Sequence, residues 1–570
     1  MKHNRILVLT CVIIVAMVIP ILLLQMIDRQ SVLADTENAS WGDPQVGFIV
    51  NTTSGMQPEI NQTNAAWGQV GAYWNCLTCT YHLTQFRDNA MYIGKTQNET
   101  QFGNWLGNLN AAGGGECSDN TYAGLREFVL NLPDDAPVSD AIVFSDSPPT
   151  GNRRTFGFVL DKMIENNVRV HNVGRALCNN ENLPYYAMDY FALLTGGEFH
   201  RPVSAGEYMT DTLIAMNLAM SKDLFGTYMG HLDNSVNVYP LDIDSSITTL
   251  GVDHHWWCLT CTRSAENGLP PSDIGDIKME LVDPDGNVVD ENTPGFRSLT
   301  TAMRDMQIMF ETLTHDDTGQ WQLRIIGSGE YAVNVFGNST VHMKSIGRNV
   351  ARANKEFEVR ALITAEEDNE LSSRCHDVPC EPLTATLKLI GVDTFESIDV
   401  DMFNIGMPPS VFGGAVTVPN PGLYRLVAEG TLLDGSKFMR VDPTPIRIRT
   451  HNMDGSDDAP ALPGSTRAVS FELVNDGAAG RSTATTFDLE LFSELGWTTA
   501  DMIPDSVTLD PGQSVQYTVE VVIPADADAG LIEDSTLVAV PQDDLGATIS
   551  SSSQTLVVDQ LSSFLPLILK

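Results

Sequence analysis

The feature that most constrains this chain is a change of periodicity partway along it. Residues 46–200 alternate short apolar runs with amphipathic stretches. Val46–Val50, Tyr81–Phe86, Ala141–Phe144 and Val168–Val173 read as strands, and Tyr122–Leu132 and Thr155–Glu165 read as helices. Parallel strands need crossover helices, and those helices hide both sheet faces, so the alternation predicts a parallel sheet covered on both sides. From about residue 235 the apolar positions recur every second residue, as in Trp321–Ile326 and Tyr331–Val335, with turn signals such as Asp283-Pro-Asp-Gly286 between them. That is the texture of β-sandwiches, and it continues to residue 558. Breaks are expected near 350, at the basic and polar Gly347–Lys355, and near 455, at the acidic Asp454–Pro460.

The N-terminus sets the compartment. Lys2 and Arg5 precede a nearly unbroken apolar run from Ile6 to Leu24, and Val32-Leu-Ala34 offers small residues for cleavage. Residues 1–34 therefore read as a signal peptide or, failing cleavage, an N-terminal anchor. Basic residues before the run keep that end inside, so everything after residue 35 is expected outside the cytoplasm, secreted or at the cell surface. The last residues, Leu561–Lys570, are apolar but too short to span a bilayer.

Charge excludes one class of partner. The chain carries a formal net charge of −40, and removing residues 1–34 leaves about −42. Such a surface repels phosphate backbones, so no nucleic-acid partner is expected. A membrane enters only through the N-terminal anchor.

Cysteine usage fits an oxidising compartment. Cys11 lies in the leader, and the other eight form close or plausible pairs: Cys76/Cys79, Cys117/Cys178, Cys258/Cys261 and Cys375/Cys380. Two pairs repeat the motif Cys-Leu-Thr-Cys beside a tryptophan. A zinc site would need both copies to meet from different domains. A thioredoxin-like centre would need a helix N-terminus to lower the thiol pKa, yet loop-like residues follow Cys261. Local disulfides that clamp turns are the simpler reading, with cross-pairing between the two copies a variant of it. His254 and His255 are adjacent in a strand and point to opposite faces, so they do not share an ion. Asp242, Asp244 and Asp253 read as a solvated face. No Gly-x-Ser-x-Gly elbow supports a hydrolase, and no enzyme is expected.

Three loops carry the candidate site. Val46–Val50 ends in Asn51-Thr-Thr-Ser-Gly-Met56, Ala141–Phe144 ends in Ser145-Asp146, and Gly113-Gly-Gly-Glu-Cys-Ser-Asp119 precedes a helix. In a parallel sheet such loops gather at the carboxyl ends of the strands, where ligands bind. Carboxylates and hydroxyls converging there suit a hard divalent cation.

With these motifs in hand, the chain resembles the hemicentin-type von Willebrand factor A (VWA) domain and the β-domains that follow it. The resemblance rests on Gly113–Cys117, His82-Leu-Thr-Gln-Phe-Arg-Asp88, Val143-Phe-Ser-Asp146 and Cys178, then on Gly319-Gln-Trp321, Gly329-Glu-Tyr331, Val335–Ser339, Gly430, Asp434-Gly435, Phe438 and Arg440. It covers roughly residues 41–450. It implies a multidomain chain: an α/β doubly wound, Rossmann-like VWA domain over 41–205, a helical connector over 206–232, and all-β, Ig-like sandwiches over 233–350 and 355–450. A further sandwich over 456–558 is expected from its own motifs, Val474-Asn-Asp-Gly477, Leu509–Gln513 and Pro524–Gly530, which resemble Ig-like modules of secreted proteins. A short tail over 559–570 closes the chain.

The family's first loop usually begins a metal-ion-dependent adhesion site and reads Asp-x-Thr-Gly-Ser-Met. Here Asn51 replaces the aspartate and Gly-Ser is inverted to Ser54-Gly55, while Thr53 and Met56 are kept. The implied metal ligands are Asn51, Thr53, Ser54, Glu116 and Asp146, for Mg2+ or Ca2+. Losing one carboxylate weakens the pull on such a cation. The resemblance also implies a Cys117–Cys178 staple and an adhesion protein that binds an extracellular protein or a surface ligand. Its rivals are a structural envelope component without a working metal site, and a CxxC redox or enzyme accessory protein.

Overall fold

The computed structural model describes residues 44–558 apart from 71–78, 115–118, 134–138, 175–186, 203–204, 221–222, 257–276, 301–303, 310–317, 347–348, 366–381, 393–395, 404–410, 433–434, 457, 477–483, 500–502 and 543–547.

The apolar runs form the sheet they predict. The strands are β1 (Gln45–Asn51), β2 (Thr80–Phe86), β3 (Ala90–Thr96), β4 (Ser139–Ser145), β5 (Val168–Gly174) and β6 (Phe199–His200), in spatial order β3-β2-β1-β4-β5-β6. All pairings are parallel except the β2–β3 hairpin at the edge. Chain order reverses at β1, which pairs with β2 on one side and β4 on the other. That reversal opens a crevice at the strands' carboxyl ends.

Helices cover both faces. Period two along β1 sends Phe48 and Val50 to one side and Ile49 to the other. The first side packs against α1 (Gln57–Trp67), α2 (Glu99–Gly107) and α6 (Ala205–Met220), through Trp67, Phe102 and Ile214. The second packs against α3 (Thr121–Val129), α4 (Arg153–Glu165) and α5 (Ala187–Thr195), through Phe128, Phe156 and Phe191. Gly47 lets α3 approach: a Cβ there would lie 2.6 Å from the Phe128 ring. Side chains cap the helices too. Asn152 Oδ1 accepts from the Arg154 and Thr155 N–H groups at 2.9 and 3.0 Å, starting α4.

The expected connector over 206–232 is corrected. Its helix, α6, buries Leu213, Ile214, Ala215 and Met216 in the first core and so belongs to the α/β sheet. From Asp223 on it is strand, because β7 runs from Asp223 to Ile243. An apolar helix followed by mixed polar residues reads as one linker only while the faces that cover it are unknown.

The second unit is built on a long hairpin. β7 pairs antiparallel with β12 (Gly319–Ser339), and each strand has 21 residues. The sequence reads β12 as two strands. The structure keeps them continuous through an irregularity at Gly327–Gly329. Its first half also pairs with β9 (Ile277–Val282) and its second with β8 (Ile247–Trp256), which is followed by β11 (Arg304–Met309) and β10 (Phe296–Thr300). Residues of both halves, Leu323 and Val333 among them, share one core. β7 then meets Lys437–Val441 through Leu224↔Val441, so the sheet continues into the third unit.

The third unit packs that sheet against a second one containing Val341–Ile346, Glu356–Ala365 and Val411–Thr417. Val350–Arg352 pairs with Ile446–Arg449, so the break expected at 347–355 lies inside this unit. The last unit is likewise two sheets around Val469, Phe471, Phe487, Val519 and Leu537. Its first strand, His451–Gly455, runs into the start of the stretch expected as a break, Asp454–Pro460. Short acidic or basic stretches resemble linkers when their strand partners are distant in sequence.

The last unit folds back onto the α/β domain. Phe158 of α4 stacks on Phe492 with centroids 4.3 Å apart, Lys162 pairs with Asp534 at 3.5 Å, and Arg126 of α3 pairs with Glu494. The acidic residues read as a solvated face divide: Asp242 is exposed, but Asp244 and Asp253 are buried, and His254 is fully buried. No helix among the described residues is long and apolar enough to cross a membrane. The expected leader, 1–34, and tail, 559–570, lie outside the described residues.

Candidate ligand-binding site at the switch point

The ends of β1 and β4 bring Asn51, Ser145 and Asp146 together beside Asp119, which precedes α3. Asn51 is fully buried and sits at the centre. Its Oδ1 accepts the Thr53 N–H at 2.9 Å. This turns Nδ2 toward the acids: 2.6 Å from Asp119 Oδ2, 3.2 Å from Asp146 Oδ1, 3.5 Å from Ser145 Oγ and 3.4 Å from Ser147 Oγ. Ser147 Oγ–H also donates to Asp119 Oδ2, and Ser145 Oγ–H to the Ser147 carbonyl at 3.0 Å. Four side-chain oxygens from two loops thus surround one amide nitrogen carrying two protons.

Backbone packing holds the loops in place. Ser54 N–H donates to the Gly113 carbonyl at 2.8 Å and Ala112 N–H to the Thr52 carbonyl at 3.0 Å. Arg87 ties both loops, from Nε to Thr52 Oγ1 at 3.0 Å and from Nη1 to the Ala112 carbonyl at 2.6 Å. Gly114 has φ +64°, and a Cβ there would lie 2.7 Å from Thr53 Cγ2. The inverted Ser54-Gly55 order has a consequence of its own: a Cβ at Gly55 would lie 2.9 Å from Asp146 Oδ2.

The electrostatics are those of crowded acids. Burial first, then the charge of Asp119, raises the Asp146 carboxyl to about 6, with Glu59 of α1 adding to the rise. The Asp146 N–H and the Ser147 hydroxyl pull in the opposite direction. An approaching positive charge would relieve this repulsion.

The sequence reading and the site overlap in part. Asn51 and Asp146 meet directly, and Thr53 joins through its N–H. Ser54 is exposed. Glu116 lies outside the described residues. Asp119, Ser145 and Ser147 are added by the structure. Asp119 and Ser145 belong to the loops 113–119 and 145–146 that the sequence marks as candidates, and only the folded loops distinguish Asp119 from its neighbours.

The donor set can be tested for a divalent cation. It is all oxygen, which suits Mg2+ or Ca2+. Against that, no group of three or more His, Cys, Asp or Glu that could hold a metal occurs among the described residues, and a neutral amide takes the central position. The arrangement fits a weak site. Among the cysteines, Cys79 is disulfide-bonded. Cys76, Cys117, Cys178, Cys258, Cys261, Cys375 and Cys380 lie outside the described residues.

Comparison with known proteins adds the following. Residues 461–538 match the family described as NPCBM-associated, NEW3 domain of alpha-galactosidase. No curated protein matches the chain in sequence. Among solved structures, proximal thread matrix protein 1 from the mussel byssus is similar at 11% identity and a TM-score of 0.26, over 33% of this chain and 49% of that one. This chain thus spans about half of that protein's length. The SpRpn10 VWA domain is similar at 11% identity and a TM-score of 0.24, over 30% of this chain and 94% of that one. The pilus adhesin SpaC from Lactobacillus rhamnosus GG is similar at 8% identity and a TM-score of 0.27, over 92% of this chain and 88% of that one. Likeness at this level carries no functional argument.

Proposed function

We propose that this chain is an extracytoplasmic, non-enzymatic binding protein of the adhesion type, whose α/β unit is a hemicentin-type VWA domain displayed on the β-units. The observation that carries this reading is the convergence of Asn51, Asp119, Ser145, Asp146 and Ser147 at the sheet's switch point. Ligands of open α/β sheets bind at such a crevice. The ligand class is an extracellular protein or another surface ligand. Asp119 and Asp146 would be the charged ligands of Mg2+ or Ca2+, and Ser145 and Ser147 would add hydroxyl oxygens. A bound cation would supply positive charge for an acidic group on the partner.

One observation favours the rival, a structural component without a working metal site. The Asn51 amide already donates into the centre of the cluster, so a cation must displace it. Melting the full chain with and without Mg2+ or Ca2+ separates the two. A metal that binds only the folded state raises its stability. The adhesion reading expects a small rise for the wild type, a larger one for Asn51→Asp and none for Asp146→Ala. If neither the wild type nor Asn51→Asp responds, the structural reading replaces it.

A further inference from the structure

A small cavity lies where the α/β domain, the β7–β12 ribbon and the third unit meet. It measures about 30 Å3 and is lined by Arg169, His171, Glu198, Asp223, Asn334 and Arg425, among others. One water needs ~10–15 Å3 measured in this way, so the space suits one or two atoms of that size.

The carboxylates around it are engaged. Asp140 takes Arg169 Nη2 at 2.8 Å and His171 Nε2 at 2.9 Å. Asp223 accepts from the Ser339 N–H and hydroxyl, each at 3.0 Å, and lies 2.9 Å from His342 Nδ1. Glu198 accepts from Asn334 Nδ2. Asp442, close to Arg425, accepts from the Ser345 and Thr444 N–H groups, each at 2.8 Å.

The cationic side is different. Arg425 gives Nη1 to the Pro443 carbonyl at 3.2 Å, but its Nε is buried without an acceptor. Arg169 Nε is likewise buried without one, and His171 Nδ1 has no hydrogen-bond partner. Burial and then the like charge of Arg169 lower the Arg425 guanidinium to about 10, against the opposing pull of Glu198 and Asp442. Two mutually repelling guanidiniums, each with a buried and unmatched Nε–H, line one cavity. Native proteins rarely leave such donors unmatched.

We infer that this cavity binds one small monatomic anion of halide size, held between the Nε–H groups of Arg169 and Arg425. Glu198 sets the selectivity: a larger oxyanion would be pushed against its carboxylate, while a single halide can stay on the guanidinium side. Arg169 and His171 lie on β5 of the α/β domain and Arg425 lies in the third unit, so occupancy would fasten those two units together.

The test uses the full chain. Crystals soaked in bromide should give an anomalous peak between Arg169 and Arg425. Melting in sodium chloride should exceed melting in sodium gluconate at equal ionic strength, saturably with chloride. Arg425→Gln should remove both effects. Arg169→Lys keeps the charge but loses the Nε–H, and should weaken the halide response even if Arg425→Gln folds poorly. Three results would each overturn the inference: water in the cavity of bromide-soaked crystals, a salt response without saturation, or equal halide responses in the wild type and Arg169→Lys.

Discussion

Asp161 Oδ1 lies 2.9 Å from Arg449 Nη2, although Asp161 belongs to α4 of the α/β domain and Arg449 to the third unit. The same Oδ1 receives Arg447 Nη1 at 3.3 Å, and Oδ2 receives the hydroxyl of Ser550, in the last unit, at 2.5 Å. One buried carboxylate therefore joins three units. Removing it would take from two guanidiniums the buried carboxylate they share, and breaking a buried pair costs about 3–5 kcal/mol. Asp161→Ala should lower the apparent unfolding free energy in urea by about that amount and make the segment between units easier to cleave by limited proteolysis. A loss under about 1 kcal/mol, in the range of an exposed pair, would mean that the apolar contact of Phe158 with Phe492 holds the units instead.

A second buried pair joins the second and third units. Arg440 Nη1 meets Asp244 Oδ2 at 2.8 Å, Nη2 meets Ser246 Oγ at 2.7 Å, and Nε meets the Val341 carbonyl at 2.8 Å. The guanidinium also lies over the Phe225 ring, 4.9 Å from its centroid. Arg440→Met should cost about 3–5 kcal/mol because Asp244 would stay buried and charged. Adding Asp244→Asn should recover part of that loss, because the stranded charge is removed. A double-mutant cycle over urea unfolding measures this non-additivity, and additive losses would contradict the pairing.

These two pairs show where the sequence was legible. β1 and β4 could be read because burial on both faces leaves an unbroken apolar run, Val46–Val50 and Ala141–Phe144. Asn51 and Asp146 could be read because they end those strands. Asp244 could not, since its partner is 196 positions away and an aspartate looks the same whether it faces water or Arg440. Asp119 ends the glycine-rich loop 113–119, but its reach to Asn51 depends on how that loop folds. β12 was read as two strands because Gly327 and Gly329 signal a turn locally, while pairing with β7 carries the strand through.

Gly114 offers a graded test of the site loop. Its φ of +64° disfavours any side chain, and a Cβ would also meet Thr53 Cγ2 at 2.7 Å. Gly286, with φ +89°, has nothing within 4 Å of its would-be Cβ. Gly286→Ala should therefore cost only the backbone term, about 1–2 kcal/mol. Gly114→Ala should cost that plus an overpacking term of about 1–3 kcal/mol. Thermal melts compare them, and equal losses would mean that Thr53 yields freely and does not fix the loop.

Asp146 makes the site sensitive to pH, and the sign can be worked out. Its carboxyl is raised to about 6 in the folded chain, above the value near 3.8 it has when exposed. The folded state thus holds this proton more tightly than the unfolded state. The stabilisation is fully present below about pH 4 and is lost as pH rises through about 6. Asp146→Asn carries a permanently uncharged group, so the wild type should lose stability relative to this variant between about pH 4 and 6, and the gap should then level off. Melting both chains from pH 4 to 8 and plotting the difference reports Asp146 together with the acids coupled to it, Asp119 and Glu59, and cancels titrations elsewhere. A divalent cation favours the ionised form, so any stabilisation by Mg2+ or Ca2+ should shrink as pH falls below about 6, while the variant's response stays small at every pH. A flat difference curve would mean that Asp146 ionises normally, with the hydrogen bonds donated by Asn51 offsetting the repulsion of Asp119.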